Sequence, residues 1–205
     1  MKFNPHYNLA GSHAVLGASN YHWVNYSPDK LVNTYNNLLN KQRGTKLHEL
    51  AATLISMRVK LPKTKQTLNM HVNDAIGFKM DPEVVLYYSE NCFGTADAIS
   101  FKDNLLRIHD LKTGFSETNI LQLKIYAALF CLEYQYEPKD IQIVLRIYKL
   151  DDIQEWLPDP NEIKYIMNKI IEFDKLIECI KRLNLAIKSD EILGAGFCIG
   201  HSYFC

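Results

Sequence analysis

The stretch Gly94-Thr95-Ala96-Asp97-Ala98-Ile99-Ser100-Phe101-Lys102-Asp103-Asn104-Leu105-Leu106-Arg107-Ile108-His109-Asp110-Leu111-Lys112-Thr113-Gly114 decides the fold. Cys92 to Phe101 reads as one strand, Lys102-Asp103-Asn104 has turn composition, and Leu105 to Leu111 reads as the hairpin partner, ended by Thr113-Gly114. Side chains on a strand alternate faces, so Asp110 and Lys112 point to one side and Leu111 to the other. Pairing through the turn brings Asp97 near Asp110. Two carboxylates side by side repel unless something positive sits between them. A Mg²⁺ or Mn²⁺ ion does that, since both prefer oxygen ligands, and the backbone carbonyl of Leu111 is placed to add one. A lysine beside such an ion can hold a phosphate oxygen.

Working outward, Pro82 precedes Val84-Val85-Leu86-Tyr87-Tyr88, a β-branched and aromatic run that predicts another strand. Upstream, residues 1–28 suggest an irregular lead-in. Ser27-Pro28-Asp29 looks like a helix start, Gly44 is expected to break that helix, and a stronger one follows from Thr45 to Val59. Leu68 to Phe78 reads as a short helix. Downstream, Ser116 is a candidate cap for a helix reaching Tyr134. Ile141 to Tyr148 reads as a strand, Pro158-Asp159-Pro160 as a loop with Asn161 as cap, and Glu162 to Ile187 as a long helix. Three strands, a helix and a strand predict an α/β fold, with a small mixed sheet flanked by helices. The expected organisation is one domain over 1–188, with 1–43 as helical or irregular lead-in, and a C-terminal tail over 189–205.

The chain has 205 residues, 47% of them hydrophobic, and a formal net charge of zero. Charge is unevenly spread. Up to Gln66 the basic residues are Lys2, Lys30, Lys41, Arg43, Lys46, Arg58, Lys60, Lys63 and Lys65, against only Asp29 and Glu49. A phosphate-binding face on a neutral protein is compatible with that asymmetry, as is a plain solvated surface. The five cysteines form no CxxC pair, which argues for free thiols in a reducing compartment. No signal-peptide core and no apolar run near the ~20 residues of a membrane span is present, so a soluble, cytoplasmic protein is expected.

Two further groups belong with the hairpin. His48, in Gly44-Thr45-Lys46-Leu47-His48-Glu49, can offer a neutral imidazole to the same metal; by itself it reads equally as a structural histidine. Gln122 and Tyr126 lie four apart, hence on one helix face, with hydrogen-bonding tips suited to phosphate or sugar.

Gly44…His48, Gly94-x-x-Asp97, Asp110-x-Lys112-Thr113-Gly114 and Gln122-x-x-x-Tyr126, in this order, resemble the RecB-like branch of the PD-(D/E)XK nuclease superfamily. The likeness is greatest to small phage or prophage members and CRISPR-associated exonucleases. It covers roughly residues 12 to 180. It implies a restriction-endonuclease-like core and a Mg²⁺- or Mn²⁺-dependent deoxyribonuclease, expected to be an exonuclease on DNA ends or single strands in phage or bacterial recombination, replication or defence. It implies Asp97 and Asp110 as main metal ligands, His48 as an additional ligand, and Lys112 as the group that holds the attacking water or scissile phosphate. Gln122 and Tyr126 would position the substrate backbone. A structure-specific endonuclease with the same residues, and a non-catalytic DNA-end or partner-binding module of the same fold, are the alternatives. Some relatives carry an iron–sulfur cluster; with no cysteine ahead of Cys92, none is expected here. No Gly-x-x-x-x-Gly-Lys-Ser/Thr loop is present, so a helicase or ATPase would have to be a partner. The tail from Leu183, ending in Leu193-Gly194-Ala195-Gly196-Phe197-Cys198-Ile199-Gly200-His201-Ser202-Tyr203-Phe204, resembles a C-terminal stretch of McrB-type AAA+ GTPases. It reads either as a vestige or as a docking segment for a motor.

Overall fold

The computed structural model describes residues 14–114, 119–190 and 197–200. The chain divides into two compact units, Met1–Lys46 and Leu47–Cys205, with the boundary inside one helix.

In the first unit a 3-10 helix, Ala18–Asn25, is followed by helix α1, Pro28–Ser56, which continues into the second unit. Trp23 donates its indole N–H to the carbonyl of Gly17 at 2.9 Å. The predicted start holds: Ser27 Oγ accepts the amide of Lys30 at 3.3 Å, and Pro28 takes the first helical position, where a missing N–H costs nothing. Gly44 does not break the helix, contrary to expectation. One glycine costs a helix about 1 kcal/mol, less than its neighbours supply here.

The second unit is built on a five-stranded sheet of order β1-β2-β3-β4-β5: Asp81–Ser89, Cys92–Lys102, Leu105–Leu111, Gln142–Lys149 and Asp152–Trp156. The fold is thus α/β with a mixed sheet between helices, compatible with a restriction-endonuclease-like core. It has one strand more than expected. The β2–β3 hairpin turns on Asp103 and Asn104 at φ 51° and 57°, the left-handed pair that a two-residue turn requires. Leu150 and Asp151 do the same for the unexpected β4–β5 hairpin. β3 and β4 are parallel because α3, Leu121–Tyr134, carries the chain across between them. Ser116, the candidate cap of that helix, lies outside the described residues. The helix α4, Pro160–Ser189, starts two residues earlier than expected. Asp159 rather than Asn161 is its cap, in a reciprocal capping box with Glu162.

Two cores flank the sheet. Leu86, Ile108, Leu123, Leu129, Ile147 and Ile163 are among the residues of the first, on the α3 and α4 side. Ala51, Ile55, Val72, Met80, Leu111 and Tyr148 belong to the second, beneath helix α2, Thr67–Gly77. Asp97 lies in the middle of β2, and Leu111 ends β3. Ala96 and Ile99 contribute to the first core but Ala98 to the second. Strict alternation would put Ala96 with Ala98, so β2 changes face at Asp97.

Candidate metal centre

β2 places Asp97 between two other carboxylates. Pro82 pairs with Ala98 and Val84 with Ala96, so Glu83 stands opposite Asp97 on one flank. On the other flank Ala98 pairs with His109, which makes Asp110 the next position opposite Asp97. Glu83 has φ 52°, a left-handed conformation rare for a residue with a long side chain.

Asp97 is the hinge of the group. Its Oδ2 accepts the backbone amide of Leu111 at 2.7 Å and lies 3.3 Å from Nδ1 of His48, which α1 delivers. One ligand atom each from His48, Glu83 and Asp97 lie within 4.8 Å of one another. Asp110 is not part of that cluster. Its side chain, only 4% exposed, is held by Lys112, whose Nζ reaches Oδ1 at 3.1 Å and Oδ2 at 2.9 Å. Only the Oδ1 contact has hydrogen-bond geometry; Oδ2 is buried without a hydrogen-bond partner among the described residues. Lys112 also donates to Oε1 of Gln122 at 2.9 Å, and Gln122 donates to the Tyr126 hydroxyl at 3.0 Å. All the residues singled out in the sequence therefore fall into two adjoining groups: His48 with Asp97, and Asp110 with Lys112, Gln122 and Tyr126. Leu111 joins them through its amide.

The electrostatics follow this geometry. The hydrogen bond to Asp97 raises the His48 pKa above its ordinary value despite burial. Burial alone would push Asp97 up, but His48 and the Leu111 amide outweigh it and hold the carboxyl below the usual range. Asp110 is pushed up, first by burial and then by the neighbouring Asp97 charge, with Lys112 opposing. Burial and Asp97 likewise raise Glu83. Three carboxylates thus stand against Lys112, which meets Asp110, and His48, which meets Asp97, and the burial of Asp97 and Asp110 makes surplus negative charge costly. A divalent cation fits that donor set: hard carboxylate oxygens plus one imidazole suit Mn²⁺, and Mg²⁺ where water completes the shell.

Glu83 escaped the sequence reading because the strand was recognised from Val84 onward. The signal that could have found it is positional: once β1 and β2 are paired, the residue opposite Asp97 is acidic.

Residues 79–175 match a family described as a protein of unknown function, DUF2800, and residues 175–205 match the McrB alpha-helical lid domain. The second match supports the McrB-like character read from the tail. No solved structure matches the chain. No helix among the described residues is long and apolar enough to cross a membrane.

Proposed function

We propose that the protein is a divalent-metal-dependent deoxyribonuclease that hydrolyses phosphodiester bonds, acting as an exonuclease on DNA ends or single strands. The observation that carries the reading is the contact chain Asp97–Leu111 amide, Asp110–Lys112–Gln122–Tyr126, with His48 against Asp97. His48, Asp97, Asp110 and the Leu111 carbonyl would hold Mg²⁺ or Mn²⁺, in one position or in two that share Asp97. Such an ion lowers the pKa of a bound water and neutralises charge on a phosphoryl oxygen. Lys112, about a third exposed, is reachable by a substrate phosphate while still tied to Asp110. Its ammonium would offset the charge that grows on the phosphate oxygens. Gln122 and Tyr126 orient Lys112 from the α3 side and present their remaining polar capacity to the DNA backbone.

A panel of linear and circular, single- and double-stranded DNA, with Mg²⁺, Mn²⁺ or chelator, tests the reading. Cleavage of linear DNA that needs metal and vanishes in Asp110→Ala supports it. Full activity in a folded Asp110→Ala protein would end it. Cutting of circular single strands would turn the assignment to an endonuclease.

The McrB-lid match points to a link with an ATPase- or helicase-type partner. Its first residues coincide with the half of α4 that leaves Leu176, Ile177 and Leu183 partly exposed, three apolar side chains at helical spacing. In the proposed role this segment docks a motor that feeds DNA to the nuclease. Deleting 189–205, combined with Leu176→Lys and Leu183→Lys, should abolish co-purification with a nucleotide-hydrolysing partner and spare cleavage. Unchanged association would remove the idea.

A further inference from the structure

We propose that Glu83 is a metal ligand, and that His48, Glu83 and Asp97 hold a cation position of their own, distinct from that of Asp110. The inference deepens the nuclease reading and rests on it only for what the ion would do.

The first observation is closure. An imidazole nitrogen and two carboxylate oxygens from three separate elements, α1, β1 and β2, converge within 4.8 Å. This mixed nitrogen and oxygen set suits Mn²⁺. The second is independent of it. Asp110, nearly fully buried, keeps an oxygen without a hydrogen bond among the described residues, on the strand across Asp97 from Glu83 and beside the Lys112 ammonium. Lys112 meets Asp110 and His48 meets Asp97; even with His48 protonated, two cations stand against three carboxylates, and the surplus charge is divided between two places. One is the buried oxygen of Asp110; the other is the pair formed by exposed Glu83 and mostly buried Asp97. Glu83 is exposed, which leaves room for the waters that a small divalent ion retains. Asp97, opposite both acids along the strand ladders, is placed to serve both positions.

The β1 backbone serves the same end. Side chains at Val84 and Leu86 enter the α3-side core, while the left-handed turn at Glu83 sets its carboxylate opposite Asp97. Glycine would adopt that φ without cost, so a purely structural role favours glycine there.

Calorimetric titration of the full chain with MnCl₂ tests the proposal, using wild type, Glu83→Gln, Glu83→Gly and Asp110→Asn. Thermal melts in chelator confirm folding. Loss of even an outer-shell metal partner costs roughly ten- to a hundredfold in affinity. Both Glu83 variants should therefore weaken one Mn²⁺ event by about tenfold or more, Asp110→Asn should retain that event, and Glu83→Gly should melt no lower than wild type. Wild-type Mn²⁺ affinity in Glu83→Gln overturns the proposal. If wild type still cleaves linear DNA with Mn²⁺ in that case, the nuclease reading stands without it. A wild-type protein that neither binds Mn²⁺ nor cleaves overturns both.

Discussion

The amide of Leu111 donates to the carboxylate of Asp97 at 2.7 Å, across the end of the β2–β3 hairpin. Strand β3 is thereby pinned at the residue between Asp110 and Lys112. A shift there would move both functional side chains at once. Asp97 thus has a structural task as well as a charge. Asp97→Ala leaves the Leu111 N–H unpaired and should cost about 1–3 kcal/mol in chelator, read by denaturant unfolding. Asp97→Asn keeps an oxygen for that amide and should cost far less, yet lose most Mn²⁺ affinity. Equal stability of the two variants would contradict this division of roles.

Lys112 neutralises a buried acid. Its removal in Lys112→Met leaves Asp110 without its counter-charge, so the metal-free protein should lose about 1–3 kcal/mol at neutral pH. Saturating Mn²⁺ should restore part of that by binding only the folded state. Cleavage should fall by about a hundredfold or more whether or not stability is restored, as for loss of a charge-stabilising donor. Melting curves with and without Mn²⁺, beside a cleavage time course, separate the two effects.

Gly94 faces Tyr126 closely enough that a Cβ would stand 2.8 Å from ring atom Cε1. The ring cannot yield without moving its hydroxyl, to which Gln122 donates, and Gln122 in turn accepts from Lys112. Gly94→Ala should therefore lower cleavage and cost about 1–3 kcal/mol from overpacking. Adding Tyr126→Leu, which opens space, should recover the stability but not the activity. If Gly94→Ala behaves as wild type, Tyr126 does not position Lys112 through Gln122.

These contacts also show why the sequence was legible in some places and not in others. The β2–β3 hairpin is written in local chemistry: Asp103 and Asn104 tolerate positive φ, and the runs on either side are apolar and β-branched. The spacing of Asp110 and Lys112 carries their shared face, and the observed ion pair follows from it. β5 was not legible. Asp152-Ile153-Gln154-Glu155-Trp156 is an edge strand, mostly exposed, and nothing in its polar composition distinguishes it from a loop until β4 is there to pair with it. Glu83 was hidden for a related reason, since its meaning depends on a partner fourteen residues away. The continuity of α1 through Gly44 depends on the summed propensity of a long helix, which one breaker residue does not overturn.

Behind the site, His71 of α2 is 1% exposed and its Nδ1 has no hydrogen-bond partner among the described residues. It packs edge-on against Tyr148, whose hydroxyl donates to Asp74 at 2.7 Å, and Asp74 also accepts from Arg146 at 3.1 Å. Burial lowers the His71 pKa from 6.5 to about 4. The sign follows directly: the folded protein holds His71 neutral while the unfolded chain takes up its proton near pH 6.5. The stability this group supplies is present above that pH and is lost as pH falls from about 6.5 to about 4. The full span is about 3 kcal/mol, from roughly 1.4 kcal/mol per pKa unit. His71→Leu, which keeps an apolar side chain in that place, should flatten the acid limb of the stability profile, measured by urea unfolding between pH 7 and pH 4 in chelator. An unchanged slope in His71→Leu would mean that the acid sensitivity of this fold lies with other groups.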